Sequence, residues 1–187
     1  LVRDFRKNYT GTDMVDTNYK FYNQIRNGIK VKTKKNGKDD FDIVKIMDFD
    51  KVDNNSFHCV NQMWIKGRFN YRRPDVLLFV NGLPVVFIEL KKSTVKVEES
   101  YNKNLVSYRK DIPNIFALKQ ICVLSNGIKT KIGAWNAGYE FFFEWLKVDS
   151  EKEVVDRKKI EDDVLSIINL IDGLFKKERL LDYIENF

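Results

Sequence analysis

The sequence contains few of the residues that build thiolate metal sites, disulfide frameworks or histidine triads. It has two cysteines, Cys59 and Cys122, and a single histidine, His58. The cysteines lie in apolar segments rather than in a C-x-x-C pair, which predicts that both are buried and argues against a zinc site. One histidine excludes a multi-histidine hydrolase centre, and no G-x-S-x-G turn accompanies it to suggest a nucleophilic triad.

Long apolar runs and low-complexity segments are absent as well. No run of about 18 apolar residues occurs, which argues against a membrane span, and residues 1–17 lack the apolar stretch of a secretion signal. We therefore expect a cytoplasmic protein with no membrane contact. The length of 187 residues and the 43% of hydrophobic residues fit one domain of ordinary size with a sizeable core.

The charge balance is moderately basic. The 33 lysines and arginines exceed the 27 aspartates and glutamates, which gives a formal net charge of +6. This excess favours a polyanionic partner such as nucleic acid, but only mildly, because many basic domains bind nothing acidic.

The spacing of apolar residues predicts strands in the middle of the chain and helices towards both ends. Helical spacing is found over residues 18–27, which Gly28 closes, over residues 97–111, and from residue 151 onward. Alternating or continuous apolar segments predict strands over residues 29–33, 41–49, 57–65, 120–124, 128–134 and 139–146, and two more on either side of Asn81-Gly82 within residues 72–92. Together these elements predict an α/β fold with a central mixed β-sheet flanked by helices.

Two apolar segments on either side of Asn81-Gly82 form the strongest short hairpin signal in the sequence, and their continuous apolar character predicts a central position in the sheet. Asp75 opens the first strand, and Glu89 and Lys91 share one face at the end of the second. With a two-residue loop, Asp75 would share a face with Ile88. With a three-residue loop, or a bulge near Asp75, it would stand opposite Glu89. We predict one of these latter arrangements because only then do the two carboxylates meet.

Facing carboxylates repel each other unless a cation lies between them. Carboxylate, water and phosphate oxygens are the usual ligands of Mg²⁺, so Asp75 and Glu89 are candidate metal ligands. Such a metal activates water and offsets charge on phosphorus, while Lys91 would orient the water or stabilise that charge. The set indicates phosphodiester hydrolysis. The alternative is a turn residue, Asp75, beside a surface ion pair of Glu89 and Lys91 worth ~0–1 kcal/mol.

Pro74-Asp75 followed by Glu89-Leu90-Lys91 resembles the PD-(D/E)xK nuclease signature. Residues 73–91 as a whole are similar to the nuclease domain of the restriction (R) subunit of type I restriction-modification enzymes. The resemblance extends over about residues 20–187, with further similarity at Asn61-Gln62, at Ile112-Pro113-Asn114-Ile115-Phe116, at Ser125-Asn126-Gly127 and at residues 180–187.

This resemblance implies a restriction-endonuclease-like core and a Mg²⁺-dependent endonuclease acting on double-stranded DNA. Asp75 and Glu89 would be the metal ligands and Lys91 the catalytic lysine. Residues 1–150 would form the endonuclease domain, and residues 151–187 a helical extension leading toward an ATP-driven motor domain absent from this chain. The chain has no G-x-x-x-x-G-K-[ST] loop, so ATP would bind only to the full-length protein. The implied partners are the methylation and specificity subunits, and the chain is expected to be a fragment.

Family members also carry a Gln-x-x-x-Tyr motif on the helix that follows the hairpin. Tyr108 fits this motif, whereas Asn104 stands four residues earlier and an ungapped comparison would place Lys103 there. Asn104 and Tyr108 share a helix face. Both are possible accessory or DNA-contacting residues, together with Arg73 and Lys92; the alternative for Asn104 is a capping or solvated side chain. The family's acidic residue on an early helix has no counterpart in residues 18–27, which leaves the presence of the native beginning open.

Other features allow more than one interpretation. Basic side chains close to the predicted site could neutralise phosphates or merely face solvent: Arg72, Arg73, Lys91, Lys92, Lys96, Lys103, Arg109 and Lys110. The aromatic segment 141–143 with Trp145 favours core packing over base stacking. Two other functions stay open, namely another PD-(D/E)xK nuclease of DNA repair or junction resolution, and a catalytically silent DNA-binding scaffold.

Overall fold

A computed structural model describes residues 13–67, 70–118, 121–150, 152–154 and 166–186. The helices and strands follow in this order: α1 (Met14–Asn27), β1 (Ile29–Lys35), β2 (Lys38–Val44), β3 (Phe57–Asn61), β4 (Ile65–Lys66), β5 (Tyr71–Arg72), β6 (Val76–Val80), β7 (Leu83–Leu90), α2 (Val97–Glu99), a π-helical segment (Ser100–Leu105), α3 (Val106–Asp111), β8 (Ile121–Ser125), β9 (Thr130–Ala134), α4 (Ser166–Gly173) and α5 (Lys177–Asn186). None of the helices in these ranges combines the length and apolar composition needed to cross a bilayer.

A five-stranded sheet in the order β3-β6-β7-β8-β9 forms the centre of the fold. The β7–β8 pair is parallel and the other three pairs are antiparallel. A parallel pair needs a crossover connection, which the helical residues 97–111 provide. The predicted α/β fold with a central mixed sheet flanked by helices is confirmed. Two small hairpins, β1–β2 and β4–β5, lie outside this sheet.

Two hydrophobic cores cover the two faces of the sheet. The first packs alternate strand residues against α1, α4 and α5, and includes Val80, Ile88, Val123, Phe21, Leu170 and Leu181. The second packs the intervening residues against the helical segment 97–111, and includes Leu77, Phe87, Leu124, Leu105 and Phe116. The β6–β7 hairpin is therefore central and covered on both faces, as its continuous apolar sequence predicted.

The β6–β7 hairpin turns through two residues, so the predicted three-residue loop is wrong. Asn81 and Gly82 have φ values of 51° and 78°, the positive pair that a type I′ turn requires. Next to the turn, Phe79 pairs with Pro84, but Leu78 pairs with Val86. The shift leaves Val85 as a bulge beside Pro84, whose missing N–H suits such a position, rather than near Asp75.

Beyond this bulge the register is the one that the carboxylates need. Val76 pairs with Ile88. Asp75 directly precedes Val76 and Glu89 directly follows Ile88, so the two carboxylate residues come next in this register. The bulge thus has the effect predicted for the wider loop, although it lies at the other end of β6.

The first helix is longer than the sequence predicted. It begins at Met14, and the side chain of Asp13 caps it by accepting a hydrogen bond from the N–H of Val15 at 2.9 Å. An early helix therefore does carry an acidic residue, Asp16, which pairs in solvent with Lys20 at 2.6 Å. Gly28, with a φ of 79°, ends the helix as predicted.

Two further local predictions are wrong, namely the strand over residues 139–146 and the burial of Cys59, and the core packing of the aromatic segment is confirmed only in part. The aromatic segment 139–146 is not a strand: it forms a 3₁₀ turn at Tyr139–Phe141 and one bridge from Phe143 to Ile132. Phe142 is buried, but Phe141 and Phe143 are 69% and 49% exposed.

Cys122 is buried as predicted, whereas Cys59 is exposed, because β3 lies at an edge of the sheet.

The strand predicted over residues 57–65 divides into β3 and β4, and the one predicted over residues 41–49 ends at Val44. The helices predicted after residue 151 are present as α4 and α5, which pack into the first core; residues 155–165 lie outside the described ranges. The domain division at residue 150 stays a prediction.

Candidate active site

Three of the predicted site residues meet where β6 begins and β7 ends. Asp75 lies directly before β6, Glu89 lies one residue before the end of β7, and Lys91 follows that strand. The Asp75 carboxylate accepts a hydrogen bond from the backbone N–H of Leu90 at 2.7 Å. The backbone carbonyl of Asp75 accepts another from the N–H of Gln62 at 2.8 Å. These two bonds fix the end of β3 and the open ends of β6 and β7 to one another.

Glu89 is the most deeply buried charged side chain of this group, with 2% of its surface exposed. Its Oε1 accepts hydrogen bonds from Lys91 Nζ at 2.9 Å and from Asn104 Nδ2. Its Oε2 is buried and has no hydrogen-bond partner among the described residues. Burial raises the pKa of Glu89, the bond from Lys91 lowers it, and the nearby charge of Asp75 raises it further. A cation beside Oε2 would relieve both the missing contact and the repulsion.

The helical segment 97–111 presents Asn104 and Tyr108 to the sheet. Asn104 binds the Glu89 carboxylate, so its side chain is neither a cap nor solvated. The Tyr108 hydroxyl donates to the carbonyl of Arg73 at 3.2 Å, and its ring meets Phe87 edge-on at 5.3 Å. Burial, with the charges of Glu89 and Asp75, raises the pKa of Tyr108 to about 12. The phenol therefore stays protonated at neutral pH.

Several of the basic residues expected near the site have partners within the protein. Arg72 Nε donates to Asp111 at 2.6 Å, and Lys103 pairs with Glu99 at 2.6 Å. Arg109 donates to the hydroxyl of Tyr101 and the carbonyl of Ala137, at 3.2 and 3.1 Å. Exposed basic side chains that could meet a phosphate backbone are those of Arg73, Lys92, Lys96 and Lys110.

A shallow, open cavity of about 620 Å³ lies at this end of the sheet, lined by Asn61, Gln62, Asp75, Val76, Leu90, Lys91 and Lys92. A water molecule takes up ~30 Å³ in the liquid, so the cavity has room for several waters or a phosphate group. The sequence predicted the charged residues of this lining but no role for Gln62. The position of Gln62 directly after β3 could have indicated a role. Since β3 pairs antiparallel with β6, β3 ends next to the start of β6, where Asp75 lies.

The donor set of the site suits a hard cation. No group of three or more His, Cys, Asp or Glu side chains able to bind a metal occurs within the described ranges. Asp75 and Glu89 would therefore be the carboxylate ligands. Mg²⁺ fits that arrangement because it usually takes one or two carboxylates and completes its shell with water and phosphate oxygens. The buried, unpaired Oε2 of Glu89 is the feature that favours it.

Comparison with known proteins identifies the family. The model of the type I restriction enzyme R protein N terminus matches residues 1–141. The chain belongs to this family. Within the R protein family it is 35% identical, over 100% of its length, to the type I restriction enzyme HindI endonuclease subunit of Haemophilus influenzae. It is 34% identical, over 97% of its length, to a Methanocaldococcus jannaschii protein named for the endonuclease subunit of the type I restriction enzyme MjaIXP.

The R protein relatives are much longer than this chain. The aligned residues make up 18% of the H. influenzae protein and 19% of the M. jannaschii protein. The chain thus spans about a fifth of the length of the curated relatives it matches. A shorter match, 31% identical over 53% of this chain, is the type I restriction enzyme SsaAORF53P endonuclease subunit of Staphylococcus saprophyticus.

Proposed function

We propose that this chain is the Mg²⁺-dependent endonuclease module of a type I restriction-modification complex and hydrolyses phosphodiester bonds of double-stranded DNA. The observation that carries the proposal is the buried Glu89, whose Oε2 lacks a hydrogen-bond partner in the described structure, with Lys91 bound to it and the charge of Asp75 nearby. A surface ion pair at a strand end would not be buried to this extent. The names of the relatives support a nuclease of the restriction class over one of DNA repair.

In this proposal Asp75 and Glu89 bind the cation, which when bound would activate a water and offset charge on the phosphate. Asn104 donates a hydrogen bond to Oε1 of Glu89 and so restrains this carboxylate, whose Oε2 would bind the cation. Lys91 Nζ lies 2.9 Å from Glu89 Oε1, which orients the lysine. Lys91 would donate a hydrogen bond to the attacking water or to a phosphate oxygen. The Leu90 N–H keeps the Asp75 carboxylate at the strand end.

The remaining assignments belong to the same proposal. Arg73 and Lys92 would contact the phosphate backbone of the duplex. ATP-driven translocation would come from a motor domain outside this chain, and the methylation and specificity subunits would be its partners in the complex. Since its substrate would be duplex DNA, the complex would act in the cytoplasm.

Replacing Lys91 in the full-length complex tests this proposal. We expect Lys91→Ala to abolish DNA cleavage while DNA binding and ATP hydrolysis stay near those of the wild type, because the lysine acts only at the cut phosphate. Lys51→Ala, which removes an exposed lysine outside the site, is the matched control and should retain the cleavage. Undiminished cutting by Lys91→Ala would remove this lysine from the mechanism.

A catalytically silent DNA-binding scaffold is the competing function, and metal binding separates the two. Titration calorimetry should detect Mg²⁺ binding to the wild-type chain and its loss in Asp75→Ala, with the circular dichroism spectrum unchanged. A wild-type chain that binds no divalent cation, even with duplex DNA present, would favour the scaffold.

A further inference from the structure

The chain turns sharply out of β3 next to the candidate active site. Gln62 has a φ of 49°, in the left-handed region that residues other than glycine rarely adopt. This turn places Met63 and Trp64 at the surface, where they are 41% and 63% exposed. Unusual backbone geometry of this kind persists when the surrounding structure enforces it, and it is frequent beside functional sites.

The exposed ring of Trp64 is contacted by an arginine side chain. The guanidinium of Arg73 lies over its ring, 5.1 Å from the ring centroid, a favourable cation–π arrangement. The β4–β5 hairpin that follows is anchored by the ion pair between Arg72 and Asp111 and by Ile65, which packs on the second core. We call Met63, Trp64 and Arg73 the Trp64 surface.

The other two tryptophans of the chain have structural roles that Trp64 lacks. Trp135 is half-buried and stacks on Phe116, and Trp145 is half-buried and donates its indole N–H to the carbonyl of Lys147 at 2.5 Å. Trp64, by contrast, leaves most of its ring in contact with solvent. An exposed aromatic ring fixed by an arginine provides a flat surface with a positive charge at one side.

The Trp64 surface lies within reach of any nucleic acid in the active site. The N–H of Gln62 binds the carbonyl of Asp75, and Trp64 is two residues further along the chain. Its Cα is therefore at most roughly 7 Å from that of Gln62, about two base-pair rises of ~3.4 Å. A duplex with a phosphate at Asp75 and Lys91 would bring the neighbouring bases to this ring.

We propose that Trp64, held by Arg73, inserts against the bases that flank the cut phosphodiester and so positions duplex DNA in the active site. Aromatic side chains stack on bases, apolar side chains such as Met63 enter the minor groove as wedges, and arginine complements the adjacent phosphates. This inference rests on the proposed function, since it takes duplex DNA as the substrate, and it names the surface that receives it.

Tryptophan fluorescence and DNA affinity test this contact directly. Binding of the 187-residue chain to a labelled duplex is measured by anisotropy for wild type, Trp64→Ala and Trp64→Phe. We expect Trp64→Ala to weaken binding roughly 10-fold, because one base–aromatic contact is lost, and Trp64→Phe to recover most of it. Tyr19→Ala is the matched control, since Tyr19 is 64% exposed on α1 and should have no effect.

The emission of the protein itself gives a second readout. Saturating duplex should quench wild-type tryptophan emission, and the quench should be absent from Trp64→Phe although this variant still binds. Unchanged affinity of Trp64→Ala, an equal quench in Trp64→Phe, or no duplex binding by the wild-type chain would each overturn the inference. A Trp64→Ala variant that binds duplex normally but loses association with a protein subunit would assign the surface to that subunit instead.

Metal binding keeps this inference separate from the proposed function. Trp64→Ala should bind Mg²⁺ as the wild type does, because Asp75 and Glu89 are unchanged. If the wild-type chain fails to bind Mg²⁺ but its duplex affinity depends on Trp64, the nuclease proposal fails and the DNA contact stands. If the wild-type chain binds Mg²⁺ but its duplex affinity is independent of Trp64, the nuclease proposal stands and the DNA contact of Trp64 fails.

Discussion

The two ends of the β6–β7 hairpin differ in the hydrogen bonding of their polar side chains. At the turn, Asn81 Oδ1 accepts a hydrogen bond from the N–H of Ser56, and its Nδ2 donates to the carbonyl of Ile46 and to Oδ1 of Asn55, all at 2.8 Å. At the open end, Oε2 of Glu89 has no such partner within the described ranges, although Glu89 is buried and Asn81 only half-buried.

This difference separates a structural site from a binding site. A buried polar group with all its hydrogen bonds made stabilises the fold, whereas one left unsatisfied lowers stability until a ligand supplies the missing contact. The turn end should therefore respond to mutation in stability, and the open end in activity. Four substitutions test this contrast, beginning with the largest expected effect.

Asp75→Asn should reduce cleavage by the full-length complex by ~100-fold or more, because a neutral amide binds a cation poorly. Its side-chain oxygen still accepts the hydrogen bond from Leu90, so the melting temperature should stay close to that of the wild type. Single-turnover cleavage and calorimetric Mg²⁺ titration measure the effect. Asp53→Asn, an exposed carboxylate outside the site, is the control; equal activity of Asp75→Asn and Asp53→Asn would contradict the assignment.

Asn81→Ala should destabilise the fold by about 2–4 kcal/mol, since it removes three hydrogen bonds and places alanine at a positive φ. Mg²⁺ affinity should not change. Urea denaturation gives the free energy of unfolding, and Asn81→Gly, which tolerates the turn geometry but lacks the side chain, isolates the hydrogen-bond contribution. A loss below ~1 kcal/mol for Asn81→Ala would mean that the turn is not the stabilising end.

Asn104→Ala should lower cleavage about 10- to 100-fold, the usual range for residues that orient a metal ligand. The amide fixes Oε1 of Glu89, and without it the carboxylate can rotate. The adjacent Lys103→Ala is a suitable control, because Lys103 pairs with the exposed Glu99 instead. Comparable rates for the two variants would show that Asn104 does not act through Glu89.

Glu89→Gln should abolish Mg²⁺ binding yet stabilise the metal-free fold at neutral pH, by roughly 1 kcal/mol. The raised pKa of Glu89 means that the folded chain binds this proton more tightly than the unfolded chain. Wild-type stability should therefore fall relative to Glu89→Gln as the pH rises through that pKa, and the two should converge below the unfolded pKa. Urea titrations at several pH values, in the presence of a chelator, measure the difference in free energy of unfolding between the two proteins. A difference that widens toward low pH would contradict this prediction.

The elements that sequence reasoning recovered depend on neighbouring residues. Asn81-Gly82 identifies a turn through its backbone preference, and continuous apolar segments identify strands covered on both faces. Glu89 and Lys91 share a face because strand geometry alone requires it. These local rules did not by themselves predict that Asp75 lies next to Glu89, because a two-residue turn without a bulge would have placed Asp75 on the face of Ile88.

The elements that it missed depend on contacts between distant parts of the chain. Cys59 is apolar in its sequence context, but its exposure follows from the edge position of β3. The bulge at Val85 is the exception, because the adjacent Pro84 is a local signal: proline in a central strand favours such an irregularity. Nothing in the sequence indicated that Gln62 would adopt a positive φ and direct Trp64 outward.

The π-helical segment Ser100–Leu105 has a consequence for comparing R proteins by spacing. Such a segment accommodates one residue more than an α-helix of the same length, and each residue advances a helix by ~100°. Deleting a single residue there would rotate the residues on its N-terminal side relative to α3. Alignments that count positions from Lys91 without a gap would consequently assign the contacting residue one place too early.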